Sequence, residues 1–151
     1  MTIADTDVLI DYLNGREPVA GRVAHYLARQ ELQTTVLTQS ELLAGADRQS
    51  QVDAIGACLA GLVILPLDQA ISEAAAAVAR QLKAIGRTIS LTDCLLAAAA
   101  IAHGADLLTH HVRHFEFIDG LRLAPTSAAA AYNEGLRPTR PHAVQSITRI
   151  G

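Results

Sequence analysis

Three acidic residues stand at comparable places along the chain, each where an apolar segment hands over to a helical pattern. Asp5 follows the opening run in Ile3-Ala4-Asp5-Thr6-Asp7-Val8, Glu41 falls in Thr38-Gln39-Ser40-Glu41-Leu42-Leu43, and Asp93 opens Thr92-Asp93-Cys94-Leu95-Leu96. In open parallel sheets, sites form beyond the carboxyl ends of strands, near the point where strand order reverses. Carboxylates distributed in this way can converge although they are far apart in sequence. Singly, two of them have a plainer reading. Thr38-x-x-Glu41 and Ser90-x-x-Asp93 have capping-box form, and the helix macrodipole favours acids near N-termini. Asp5 is harder to explain so, because Ile3 and Val8 to Ile10 flank it. A carboxylate set there is expected to be partly buried, and a buried charge requires a counter-charge or a metal. No basic residue adjoins any of the three acids in sequence. That points to a cation, and hard oxygen ligands favour Mg²⁺ or Mn²⁺.

The elements that must position these acids alternate between short apolar runs and helical spacings, the pattern of βαβ units. Strands are predicted at Met1–Ala4, Leu32–Leu37, Leu62–Leu67 and Asp106–Thr109, with an edge strand at Leu121–Leu123. Leu62–Leu67 is continuously apolar and is expected to be buried on both faces. Helices are predicted over Val8–Leu13, Pro18–Gln30, Glu41–Asp47, Val52–Leu59, Gln69–Ala84 and Leu91–His103, and Phe115–Gly120 reads as a loop. Beyond Pro125 the pattern fails. Ser127–Asn133 could form a weak helix, but Pro138 and Pro141 in polar surroundings suggest a flexible or partner-bound tail. The expected organisation is one α/β domain over residues 1–125 with a weakly structured extension over 126–151.

At 151 residues the chain has the size of one domain with a substantial core. Half of it is hydrophobic, yet it holds only five aromatic residues and no Trp, so Leu, Ile, Val and Ala must build that core. No apolar run reaches the roughly 18 residues of a membrane span, and the N-terminus lacks the basic and apolar regions of a signal peptide. The expectation is a cytoplasmic protein with no membrane segment. Cys58 and Cys94 have no metal-binding spacing and read as reduced, small apolar residues. A net charge of −3 argues against an indiscriminate nucleic-acid binder, but not against an enzyme that meets phosphate through a metal. Eleven Arg against one Lys suits bidentate phosphate contact, and a GC-rich genome would give the same bias.

Four segments together resemble those of the PIN-domain nucleases, and within them the VapC-like toxins of bacterial toxin–antitoxin pairs. They are Asp-Thr-Asp-Val-Leu-Ile-Asp at 5–11, Ser40-Glu41-Leu42-Leu43-Ala44-Gly45, Ile89 to Ala98 around Asp93, and Leu107 to Phe115. Each is weak alone, but their order and separations match over roughly Met1 to Pro125. The resemblance implies a PIN-like three-layer α/β/α sandwich around a parallel sheet, with metal held by Asp5, Glu41 and Asp93. It also implies a Mg²⁺- or Mn²⁺-dependent endoribonuclease that cuts RNA, and a small cognate antitoxin of the VapB kind. Carboxylate-bound metal would activate a water, orient it for in-line attack and neutralise developing charge. A homodimer is expected from the resemblance together with a mean hydropathy of +0.25 and an apolar first helix.

One departure stands out. The fourth segment of the family ordinarily reads Thr-x-Asp, and here it reads Thr109-His110-His111. Histidine can ligate Mn²⁺ but brings no negative charge. Either His111 or Asp7 could complete the site, although Asp7, two residues on along a helical turn, is expected to point away from Asp5. Asp11 reads as a solvated or dimer-face residue. Thr6 and Thr109 could orient water or carboxylates, or serve only as backbone partners, and Arg113 could meet RNA phosphate or solvent. His114 is expected to pack beside Phe115, and a separate zinc site in the His110–His114 segment is disfavoured because it lacks Cys. The competing reading keeps the fold but makes it a weak or inactive RNA- or partner-binding domain. A phospho-acceptor receiver domain is a poor match, since the single Lys, Lys83, falls inside a helix.

Overall fold

The protein is described by a computed structural model over residues 1–126, so the expected C-terminal extension and its Ser127–Asn133 helix lie outside the described residues. The strands are β1 (Thr2–Ala4), β2 (Leu32–Thr35), β3 (Val63–Leu65), β4 (Asp106–Leu108) and β5 (Arg122–Ala124). The helices are α1 (Thr6–Leu13), α2 (Val19–Ala28), α3 (Val36–Ala44), α4 (Gln49–Leu59), α5 (Gln69–Ala84), α6 (Leu91–Ala102) and α7 (Val112–Phe115). All strand pairings are parallel, in the order β3-β2-β1-β4-β5.

Alternation along the central strands divides the apolar residues between two faces. Ile3 and Leu107 join one core with α5 and α6, built from Ile71, Val78, Leu82 and the Ala97–Ala100 block. Ala4 and Leu108 join a second core with α1 to α4, built from Val8, Leu9, Val23, Leu42 and Ile55. The result is the expected helix–sheet–helix sandwich. The alanine block, essentially inaccessible, fits α6 against the sheet. Burial raises the Cys58 thiol to about 11, so it stays protonated and inert.

Three expectations are corrected. The second strand ends at Thr35, not Leu37: the Thr35 side chain accepts from the Thr38 amide and winds Val36 and Leu37 into α3, overriding the strand preference of a β-branched residue. Glu41 consequently lies in the second turn of α3, and Thr35 rather than Thr38 provides the cap. Leu62–Leu67 contributes a short edge strand, not one buried on both faces, with Val63 exposed and only Leu65 fully covered. Phe115, expected to open a loop, is instead the last residue of a short helix, α7. Elsewhere the caps follow the sequence. Asp68 accepts from Ile71 and Ser90 from Asp93.

Candidate active site

The chain runs β1, β2, β3 towards one edge and then returns to place β4 on the other side of β1. The reversal lies between β1 and β4, and it is there that a crevice opens beyond the strand ends. The backbone ladder reaches that point, with the Asp5 amide donating to the Leu108 carbonyl at 3.0 Å. Asp5 and Thr109, the next residues on the two strands, are therefore brought side by side although 104 positions separate them.

Asp5 is the N-cap of α1, and its Oδ1 accepts from the Thr6 amide at 2.7 Å. Its Oδ2 accepts from the Thr109 hydroxyl, also at 2.7 Å. The same hydroxyl lies 3.3 Å from Asp7 Oδ2 and accepts from the His111 amide at 3.1 Å. Asp7 Oδ2 further accepts from the His110 amide at 2.9 Å, while its Oδ1 is buried without a hydrogen-bond partner. Asp7 thus faces the site, contrary to the expectation that it points away. The cause is backbone geometry. Asp5 is extended (φ −76°, ψ 165°) rather than helical, so its side chain folds over the first turn of α1 and meets Asp7 there.

Among the described residues, one donor set could hold a single ion together: Asp5, Asp7 and His111, whose ligand atoms lie within 4.8 Å of one another. His111 Nε2 is 4.0 Å from Asp7 Oδ2 and its side chain is mostly exposed. Glu41 and Asp93 are not in that set, but both adjoin it. The Thr6 hydroxyl donates to Glu41 Oε2 while the Thr6 amide holds Asp5, so one residue bridges the two acids. Asp93 Oδ2 lies 3.1 Å from His114 Nδ1, and its charge acts on Asp5. That link to His114 had no clear signal in the sequence, because contact between α6 and α7 is purely tertiary. His114 also lies near Phe115, as expected, with ring centroids 6.4 Å apart. Asp11 pairs with Arg16 and His110 and stays outside the centre. Arg113, on α7, is exposed and lines a cleft beside it.

The electrostatics are those of an acidic cluster without its counter-charge. Burial, with the charges of Asp7 and Asp93, raises the Asp5 carboxyl to about 6 against its hydrogen bonds to Thr109 and Thr6. A buried carboxylate beside a half-buried one, an unpartnered Asp7 oxygen and a nearby imidazole fit a small divalent cation that accepts oxygen and nitrogen ligands.

The family model of the PIN domain matches residues 2–119, most of the described chain. The chain belongs to the PIN-domain family. This PIN domain is 33% identical over 123 residues to ribonuclease VapC19 of Mycobacterium tuberculosis, covering 81% of this chain and 98% of that protein. It is 32% identical over 133 residues to ribonuclease VapC1 of Rickettsia felis, covering 83% and 96% respectively. Among solved structures it resembles VapBC2 of Rickettsia felis bound to a promoter DNA fragment. There the TM-score is 0.73 at 19% identity, over 82% of this chain and 96% of that one, a likeness of fold. Among the described residues of this PIN domain, no helix is long and apolar enough to cross a membrane.

Proposed function

We propose that this VapC-like PIN domain is a divalent-metal-dependent endoribonuclease, the toxin of a toxin–antitoxin pair in the cytoplasm, with a small VapB-like antitoxin as partner. The observation that carries the reading is the Asp5–Asp7–His111 set at the switch point, with a buried Asp7 oxygen left unpartnered. Similarity to ribonucleases over almost the whole length of those relatives supports the substrate class.

Asp5, Asp7 and His111 would hold the ion, Mg²⁺ or Mn²⁺, with Glu41 and Asp93 adding charge or water-mediated contacts from the flanks. When bound, such an ion lowers the pKa of a water and offsets charge on the phosphodiester. The chain's own residues do the positioning. The Thr109 hydroxyl fixes the orientation of Asp5, and the His110 amide fixes that of Asp7. Thr6 aims Glu41 towards the same crevice, where its carboxylate can accept a proton from the attacking water. His114 holds Asp93 from the other side. The products are a free 3′ end and a free 5′ end, one of which retains the phosphate.

The test is cleavage of single-stranded RNA by purified protein, with metal supplied or chelated. Cleavage by the parent in Mg²⁺ or Mn²⁺, stopped by EDTA and lost in Asp5→Asn, supports the reading. A parent that retains RNA in every metal, while still binding its antitoxin, would instead favour the non-catalytic binding domain. The exposed His111 in place of an acid is the feature that favours this second reading.

A further inference from the structure

We infer that a second cleft, between the end of α5 and α7, is a phosphate subsite that takes the backbone of the RNA substrate next to the bond being cut. The inference rests on the nuclease reading for the identity of its ligand. The cleft encloses about 330 Å³ and is lined by Leu82, Arg87, Thr88, Ile89, Arg113 and His114. That volume lies at the lower end of the range for small-ligand sites. The lining combines two arginines, a histidine and a threonine with the aliphatic side chains of Leu82 and Ile89, a surface that can take both a phosphate and a sugar or base.

Arg87 is held in place by the way α5 ends. Gly86 takes φ +73°, its amide donates to the Lys83 carbonyl, and the Arg87 amide donates back to the Leu82 carbonyl. These two bonds form a Schellman closure, which turns the chain sharply out of the helix and fixes where the Arg87 side chain begins. The guanidinium then lies over the Phe117 ring, 3.5 Å from its centroid. A guanidinium stacked on a ring keeps its edge N–H donors free for a planar or tetrahedral anion. Among the described residues, neither Arg87 nor Arg113 pairs with a carboxylate. Two uncompensated guanidiniums facing one cleft call for an anionic ligand.

Continuity with the centre identifies which anion. His114 lines this cleft and at the same time holds Asp93, so the cationic cleft and the acidic crevice share a wall. A chain with regularly spaced phosphates can place one at the acids and a neighbour between Arg87 and Arg113. The charges are complementary, since the acids repel a bare phosphodiester while the arginines retain its neighbour. Arg87 and Arg113 therefore act in binding and register, and no bond is made or broken at them.

The experiment measures binding of a short fluorescein-labelled single-stranded RNA in EDTA by anisotropy, at salt from about 50 to 200 mM. The proteins compared are the parent, Arg87→Ala, Arg113→Ala, the double variant and Arg87→Lys, with thermal melting as the check on folding. Each alanine variant is expected to weaken binding roughly tenfold. Each should also flatten the log Kd against log salt slope by about 0.7, the value for one single-strand phosphate that the protein no longer neutralises. Arg87→Lys should keep the slope but recover only part of the affinity. Unchanged affinity and slope in both single variants would overturn the subsite. So would a double variant that keeps RNA but no longer captures the co-expressed antitoxin, since the cleft would then belong to a protein segment. If Arg87→Ala fails to fold, the exposed Arg113→Ala decides by itself. Cleavage in Mn²⁺ is scored separately. A parent that cuts RNA with no slope change in the variants loses the subsite and keeps the nuclease, and the converse result does the reverse.

Discussion

The Thr109 hydroxyl has one proton and two carboxylates within reach, so it can satisfy Asp5 or Asp7 but not both. Asp5 has the closer contact, yet its carboxyl is raised from 3.8 to about 6, mainly by burial and then by Asp7. A carboxyl with a raised folded pKa binds its proton more tightly in the native state. Its contribution therefore favours the metal-free fold below about pH 4 and is lost as pH rises to about 6. Asp5→Asn removes that penalty and can still accept from Thr6. It should raise metal-free stability at pH 7 by on the order of 2–3 kcal/mol, read as a higher melting temperature in EDTA, while abolishing cleavage. A melting temperature unchanged or lowered would show that Asp5 is not a strained anion. Since ligands must be deprotonated, cleavage at limiting Mn²⁺ should fall as pH drops through about 6, and more Mn²⁺ should move the decline to lower pH. His111 brings the set a neutral nitrogen where a carboxylate would add charge. The parent should thus prefer Mn²⁺ to Mg²⁺, and His111→Asp should raise Mg²⁺-supported turnover. A variant no better than the parent in Mg²⁺ would remove His111 from the centre.

At the scale of elements, the site depends on how two helices begin. Thr35 stops β2 and starts α3, which carries Glu41 to the Thr6 hydroxyl in the second turn. Thr35→Ala removes the cap and should cost about 1 kcal/mol of unfolding free energy. It should also lower turnover at saturating metal, measured by urea unfolding beside kinetics. A loss of stability with turnover unchanged would mean that Glu41 needs no such placement. The capping pattern at Thr38 was legible but misleading. Thr35 and Thr38 are both plausible caps, and only the end of the β2 ladder selects between them. The adjacency of Asp5 and Asp7 was hidden for a similar reason. Helical spacing sets residues two apart on different faces, whereas an extended N-cap followed by a first-turn residue does not obey it.

For the whole molecule, folding and ion binding are linked. The acidic crevice exists only when β1 and β4 are paired, so an ion that binds the native state alone stabilises it by mass action. Mn²⁺ at about 100 times its dissociation constant should add about 2.7 kcal/mol. The increment should vanish in Asp5→Asn, as differential scanning calorimetry can check. A melting temperature indifferent to Mn²⁺ would separate the acidic cluster from any metal. Exposed Val36, Leu43, Val63 and Leu91 leave apolar surface on this PIN domain. A homodimer in light scattering is the expected state, and a monodisperse monomer that captures no antitoxin would count against both partners.

The sequence by itself determined the class of fold, because alternating apolar runs and helical spacings permit little besides a parallel sheet covered by helices. It also indicated that Asp5 is at least partly buried, because Ile3 and Val8 to Ile10 flank it, and that its charge requires a counter-charge or a metal. It could not determine which acids meet. His111 joins Asp5 and Asp7 because β4 lies beside β1, a pairing between strands more than 100 positions apart. His114 reaches Asp93, and Arg87 and Arg113 line one cleft, because α6 packs against both α5 and α7. Such contacts depend on long-range packing, and no local preference or spacing encodes them.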